Sequence, residues 1–355
     1  MRSSSIVLLG LALGLLGLVA WVLLPSGTDV VLYCSVDQDH SQGLVERFRQ
    51  ESGLRVDFQG DVERDKSVGL ARRLSEERAR PRCDVFWANE AMNTAWLAEA
   101  GAFDPLPGDV LDLFPPAFRD PAGHWVAFGL RARVLLVNTE LLPDPADWPR
   151  RVTDLLDPRY AARGLATALA RPLAGTTYTH AVALLTRDEA GTRAFLESLA
   201  QAAAEGRVRI TTGNGPAMQL AADASQRVAF CLTDTDDAWD AQRKGRPVAV
   251  VYPDQGEGEW GTMVIPNTLA WVKDRPHPQA SARLLRWLAS PRLEESLAAG
   301  PSAQMPVREG VPVPEGGHVK RPGKDFRVAP VDWGQLARNR DRWLDLLNRV
   351  IQPVR

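Results

Sequence analysis

Apolar runs alternate with amphipathic segments along most of the chain. Runs at 29–36, 55–59 and 84–87 predict buried strands, and a helix with an apolar face is predicted over 41–52. Strands that are apolar on both sides are typical of a parallel sheet covered by helices on both faces. The first third of the chain is therefore predicted to be a series of strand–helix units.

The pattern changes at 125–138, where a long apolar strand contains Arg131 and Arg133 at strand spacing. Two arginines on one face of a buried strand need acceptors, which a ligand or structural carboxylates would supply. A second strand–helix series follows, and the chain is predicted to cross back along a later strand. The remaining predicted strands are 165–169, 207–210, 228–232, 248–252 and 262–271, and the remaining helices include 278–289, 293–299 and 333–351.

Length and composition indicate an ordinary globular protein of about two domains. The 355 residues are 45% hydrophobic and 24% charged, with a formal net charge of −2, so nothing suggests a nucleic-acid partner. The three cysteines, Cys34, Cys83 and Cys231, each lie in or beside an apolar segment. They are predicted to be buried small side chains rather than a metal site or a disulfide framework.

An apolar stretch at 6–24 follows Arg2 and predicts an export signal within residues 1–28. It is long enough to span a membrane, so a cleaved signal peptide and an uncleaved anchor both remain open. Either way, the body of the protein is expected outside the cytoplasmic membrane, in the periplasm or on the membrane's outer face.

Polar residues at the ends of the predicted strands are the candidate ligand-binding residues, because ligands bind open α/β sheets at the carboxyl ends of strands. Glu63 and Lys66 have an equally simple interpretation as a solvated helical pair. Either His40 or Glu90 is a further candidate metal ligand. In the first series the candidates are Asp37, Gln38, Glu63, Lys66, Asn89 and Glu90.

The second series adds uncharged candidate residues. Gly175, Thr176 and Thr177 open a predicted helix, where amides at a helix N-terminus would attract an anion or a threonine would simply act as the N-cap. Asn214 follows the next predicted strand.

Thr235, Asp236 and Asp237 follow the buried strand that begins at Val228. With Glu63, the two aspartates would offer hard oxygen ligands to a metal ion. Their alternative role is to cap a helix that begins near Ala238.

Several motifs resemble the extracytoplasmic solute-binding proteins of ABC importers, in the branch that includes ferric-iron and putrescine-type binding proteins. The resemblance covers nearly everything after residue 28. The motifs are VVLYCSVDQD at 30–39, Phe48-x-x-Glu51-x-Gly53-Leu54-x-Val56, Asp84-Val85-Phe86-Trp87, Leu97-x-x-x-Gly101-x-Phe103-x-Pro105-Leu106 and Leu284-x-x-Trp287-Leu288-x-Ser290-Pro291.

The resemblance implies a type II periplasmic-binding-protein fold, with two α/β lobes that close on a ligand about hinge strands. Lobe 1 is expected to contain 29–130 and 262–312, and lobe 2 to contain 131–261 and 313–355. It also implies a monomer, without enzymatic activity or a resident cofactor, that delivers a small solute to an ABC permease with its ATPase.

Ferric-binding members of the family usually carry adjacent tyrosines where this chain reads Thr235-Asp236-Asp237. Ferric iron or another hard cation remains the first hypothesis, because carboxylates are also hard ligands. A phosphonate or carboxylate drawn by Arg131 and by Gly175, Thr176 and Thr177 is an alternative. A polyamine is another, with Trp87, Trp239 and Trp260 as candidate cation–π walls.

One alternative belongs to a different class of protein. The segment Phe230-Cys231-Leu232-Thr233-Asp234-Thr235-Asp236 is similar to the strand and DxD start of haloacid-dehalogenase-type phosphatases. There, one aspartate is the nucleophile and the second is the general acid. The motif lies far from the start of the chain, and no later acidic motif completes a magnesium site, so the binding protein is the preferred hypothesis.

Overall fold

The structure is a computed structural model that describes residues 27–36, 38–61, 69–316 and 318–351. Within these ranges, no helix combines the length and apolar character needed to cross a membrane. The apolar segment 6–24, predicted as an export signal or anchor, lies outside the described residues. So do the candidate site residues Asp37, Glu63 and Lys66.

The first series is a parallel sheet in which β1 lies between β2 and β3. Buried residues occupy every position of β1 and β3, as the apolar runs predict. The elements are β1 (Val30–Cys34), α1 (Gln38–Ser52), β2 (Val56–Gly60), α2 (Gly69–Glu76), β3 (Val85–Ala88), α3 (Ala91–Glu99), β4 (Phe103–Asp104) and α4 (Gly108–Leu111).

The second series begins with a long strand whose fourteen residues are all buried. That strand is antiparallel to β8 and β9, and β6 pairs in parallel with β7 and β8. The elements are β5 (Trp125–Asn138), α5 (Pro158–Ala162), β6 (Ala166–Ala170), α6 (Gly175–Arg187), α7 (Glu189–Ala204), β7 (Val208–Thr211), α8 (Asn214–Ala221), β8 (Val228–Asp234), α9 (Thr235–Arg243) and β9 (Val248–Val251).

The chain then crosses back as predicted. β10 (Val264–Val272) is antiparallel to both β3 and β5 and joins the two series. The main order of strands is β2-β1-β3-β10-β5-β8-β6-β7, with β4 on β10 and β9 on β5. The last elements are α10 (Pro278–Leu288), α11 (Pro291–Ala299) and α12 (Trp333–Val350).

β5 carries a bulge at Gly129, between its two halves. Leu130 pairs with Pro266 and Phe128 pairs with Asn267, so one residue of β5 has no partner in β10. Gly129 has a φ of 52°, and a Cβ there would lie 2.6 Å from the Oε1 atom of Gln304. Only glycine fits this backbone without strain.

The C-terminal helix α12 packs against α3 of the first series and α6 of the second. Arg340 contributes to both contacts. Its guanidinium stacks on the ring of Trp96 and donates to Asn93, while its carbonyl accepts a 2.7 Å hydrogen bond from the Tyr178 hydroxyl. The assignment of 313–355 to the second lobe therefore stays a prediction, because the helix contacts both series.

The three cysteines are all buried, as their apolar surroundings predict. Burial raises the pKa of Cys83 and Cys231, so both stay protonated and unreactive.

Candidate functional site

The candidate site is centred where β8 runs directly into α9. Asp234 is the last residue of β8 and the N-cap residue of α9, but its side chain does not cap the helix. Asp236 and Asp237 lie in the first turn, where the positive end of the helix dipole favours carboxylates. The prediction of a helix that begins near Ala238 is wrong, because no turn separates this strand from the helix.

Arg133 lies opposite Asp234 in the antiparallel pair of β5 and β8. Its Nη1 donates to the Asp234 Oδ1 atom at 2.5 Å and to the Thr176 hydroxyl at 3.1 Å, and its Nη2 donates to the Thr177 hydroxyl at 3.0 Å. The Arg133 side chain has no exposed surface. This arginine is therefore held by structural acceptors and does not face solvent.

The second oxygen of Asp234 is also occupied. Its Oδ2 atom accepts hydrogen bonds from the Thr176 hydroxyl at 2.7 Å and from Asn214 Nδ2 at 3.1 Å. Burial alone would raise the pKa of Asp234, but the charges of Arg133 and Arg131 outweigh burial and lower it. A phosphatase nucleophile needs an open carboxylate oxygen, and both oxygens here are engaged.

Asp236 and Asp237 remain as the acceptors nearest the site's surface. Asp234, Asp236 and Asp237 each offer one carboxylate oxygen that could bind a metal ion, and these three oxygens lie within 4.8 Å of one another. Asp237 accepts a 2.8 Å hydrogen bond from the Thr233 hydroxyl, and the Asp236 side chain retains 14% of its exposed surface. Burial and the neighbouring charges of Asp236 and Asp234 raise the pKa of Asp237 well above its usual range.

Arg131 links the carboxylates to the first series. Its Nη1 lies 3.7 Å from the Asp236 Oδ2 atom and 4.0 Å from the Asp234 Oδ2 atom, and its Nη2 donates to the carbonyl of Asn89. The side chain is only 8% exposed. Arg131 thus places a positive charge between Asp236 and the end of β3.

Glu90 has a structural role in this conformation. Its carboxylate caps α3 by accepting from the backbone N–H groups of Met92 and Asn93, and it also accepts from the Thr179 hydroxyl of α6 at 3.2 Å. Burial raises its pKa. Glu90 therefore joins the two series at the site's edge, and a ligand role for it stays a prediction.

The remaining described candidates lie at the same edge of the sheet. The hydroxyl of Thr235 accepts from the Ala132 N–H group, and Thr177 donates to Asn214. Gln38 is exposed beside Gly60 at the end of β2. Helix α6 begins at Gly175, but its N-cap residue is Ala174, which provides no side-chain cap. The threonines bind the Arg133 and Asp234 network instead of capping the helix.

The predicted aromatic walls are not all available. Trp87 has no exposed surface and packs against Phe128, so it does not line a cleft. Trp260 stacks near His180, and Trp239 lies 3.7 Å from the ring of His318. Of the three tryptophans, only Trp239 and Trp260 are partly exposed.

A family model of bacterial extracellular solute-binding proteins matches residues 84–328, more than half of the chain. The protein belongs to this family. The resemblance noted in the sequence is thereby confirmed, and so is its implication of an ABC-importer binding protein.

A protein of similar sequence and a solved structure of similar fold agree with this assignment. Iron uptake protein A2 of Synechocystis sp. is 29% identical over 256 residues, which cover 69% of this chain and 70% of the relative. Iron-bound HitA from Pseudomonas aeruginosa superposes with a TM-score of 0.77 at 21% identity, covering 91% of this chain and 99% of HitA.

Another solved structure of similar fold contains a different ligand. AfuA from Actinobacillus pleuropneumoniae, solved with fructose-6-phosphate bound, superposes with a TM-score of 0.72 at 18% identity, covering 93% of this chain and all of AfuA (100%). The structural neighbours confirm the type II periplasmic-binding-protein fold of this solute-binding protein.

Proposed function

We propose that this binding protein captures ferric iron, or another hard cation, and delivers it to an ABC permease with its ATPase outside the cytoplasmic membrane. The observation that carries the proposal is the pair Asp236 and Asp237, whose oxygens lie close together in the first turn of α9. The iron uptake protein of Synechocystis sp. and iron-bound HitA support the same ligand class.

The cation would be held by carboxylates rather than phenolates. Three of the chain's four tyrosines donate their hydroxyls elsewhere, to Glu77, the Asp147 carbonyl and the Arg340 carbonyl, and the ring of Tyr252 packs against Phe326. Carboxylate oxygens bind hard cations without help from tyrosine. Glu63, which lies outside the described residues, is the proposed third ligand.

Differential scanning fluorimetry with ferric citrate, and with citrate alone, tests the proposal. Ferric citrate is expected to raise the Tm of the native protein, and the double substitution Asp236→Asn and Asp237→Asn is expected to abolish the increase. Asp240→Asn is the matched control, because Asp240 lies in the same helix but pairs with Arg243 and Lys244 on the surface. An undiminished response in the double variant would contradict the proposal.

A small organic anion is the second candidate. Arg131 supplies a positive charge at the site, and α6, which begins there without a side-chain cap, contributes the positive end of its helix dipole. AfuA with bound fructose-6-phosphate shows an anionic ligand on this fold. A Tm increase with inorganic phosphate or fructose-6-phosphate, lost in Arg131→Met and absent with ferric citrate, would favour this candidate over iron.

The apolar segment 6–24 is proposed to be the export signal or the anchor that places the protein outside the membrane. Sequencing the N-terminus of the mature protein distinguishes these two possibilities, because a cleaved signal removes the segment and an anchor retains it.

A further inference from the structure

A cavity of about 830 Å³ lies beside β5 and β10. Leu130 lines it, whereas Arg131, the next residue of the strand, points to the opposite face of the sheet. We call it the back cavity. Its walls come from α3, from β5 and β10, from the start of α12 and from two loops, and they include Ala98, Phe118, Trp125, Leu130, Pro266 and Trp333.

Rings and aliphatic groups form most of the wall of the back cavity. Phe118, Trp125 and Trp333 present three aromatic rings, and Pro266 and Pro330 add two rigid aliphatic ones. Small-molecule sites in proteins have volumes of about 300–1,000 Å³ and are mainly apolar with a few polar groups. The back cavity matches this description in both size and composition.

The charged groups that line the back cavity already have partners, including Asp332, which accepts a 2.9 Å hydrogen bond from the Gln335 N–H group. Glu99 binds Arg338 at 2.5 Å, Asp120 lies 3.2 Å from His124, and Arg119 binds Asp112 at 3.2 Å outside the cavity. A charged ligand would have to compete with these partners. A neutral ligand leaves all three pairs in place.

One buried polar group of the wall lacks a hydrogen-bond partner within the described part of the chain. Trp125 is 4% exposed, and its Nε1–H group has no hydrogen-bond partner among the described residues. An unsatisfied buried donor costs free energy that an acceptor would recover.

We propose that the back cavity is a second binding site, for a neutral and mainly apolar organic molecule that carries a hydrogen-bond acceptor for Trp125. This site is separate from the carboxylates of α9. It stands whether or not the protein transports iron.

Nile red, a neutral planar dye with a carbonyl group, is a suitable probe. Titration of the full-length protein is expected to give saturable fluorescence with one dye per chain. Ala98→Phe fills the cavity and is expected to weaken binding about tenfold, equivalent to roughly 1.4 kcal/mol. Trp125→Phe removes one donor and is expected to weaken binding about fivefold.

Two controls make the test specific. Ala204→Phe adds the same ring at the exposed end of α7, far from the cavity in sequence, and Leu113→Ala removes an exposed hydrophobic side chain at 40% exposure. Both are expected to bind the dye as the native protein does.

Non-saturable dye fluorescence, or equal affinity in native protein, Ala98→Phe and Trp125→Phe, overturns the back-cavity proposal. Circular dichroism confirms that each variant is folded. The Tm increase with ferric citrate is measured on the same variants, because it reports the α9 site alone and separates failure of one proposal from failure of the other.

Discussion

Arg133 and Asp234 form an ion pair across neighbouring strands that is almost completely removed from solvent. Their side chains are 0% and 3% exposed, and their charged atoms lie 2.5 Å apart. Because the two residues are opposite each other in the β5–β8 pair, the sheet itself fixes their distance. The pair neutralises the charge of one of the three aspartates, and the other two, Asp236 and Asp237, are the ones proposed above as cation ligands.

Arg133→Met is expected to destabilise the protein by about 3–5 kcal/mol, because it leaves the Asp234 carboxylate buried without its cation. Urea denaturation followed by tryptophan fluorescence measures the loss. Arg243→Met is the control, since Arg243 pairs with Asp240 on the surface and its loss is expected to cost at most about 1 kcal/mol. Equal losses of stability in the two variants would show that the buried ion pair contributes no more to stability than the surface pair does.

Asp237→Asn is expected to stabilise the protein above neutral pH while weakening cation binding. The raised pKa of Asp237 means that the fold favours its protonated form. The associated stability is fully present below about pH 4 and is lost as the pH rises through the raised pKa. Thermal melts at pH 8 are expected to show a Tm about 2–3 °C higher for the variant. A lower Tm at every pH would contradict the charge argument.

His180 is expected to make the protein sensitive to acid. Burial and the charge of Arg133 lower its pKa to about 3, so the folded protein keeps the imidazole neutral. The unfolded chain takes up a proton below about pH 6.5, and this linkage costs about 2 kcal/mol of stability between pH 7 and pH 5. Denaturation of His180→Gln at both pH values should show that much less change in stability than denaturation of the native protein. A native-like pH dependence in His180→Gln refutes this expectation.

Gly129→Ala is expected to cost about 2–4 kcal/mol, because it adds a positive-φ penalty and a clash with Gln304. Gly53→Ala is the matched comparison. Gly53 has a φ of 71° but no atom within 4 Å of an added Cβ, so only the backbone penalty of about 1 kcal/mol applies. Chemical denaturation of both variants separates the two contributions. Equal losses of stability would mean that the residues around Gly129 move to accommodate the added methyl group.

Much of the fold could be predicted from the sequence because buried strands leave a clear apolar signal. β5 was predicted with its observed bounds, and the return of the chain along β10 followed from a second apolar run. The start of α9 was missed, because a strand that passes directly into a helix leaves no turn residue to mark the boundary.

The candidate site was only partly predictable. The need of Arg131 and Arg133 for acceptors was evident from two cations in an apolar strand, but the identity of those acceptors depends on strand register. Asp234 is therefore a structural partner of Arg133 that the sequence alone could not identify. Glu90 caps α3 and also accepts a hydrogen bond from Thr179, which is distant in sequence. No local sequence pattern indicates this second contact.

The position of β10 between β3 and β5 has a consequence for biosynthesis. Until residues 264–272 have been made, β3 and β5 lack the strand that joins them, and each presents an open edge. Open strand edges invite pairing with other chains. A chain released before Val272 is therefore expected to aggregate, and an exported chain completes its sheet only after three-quarters of its length has emerged.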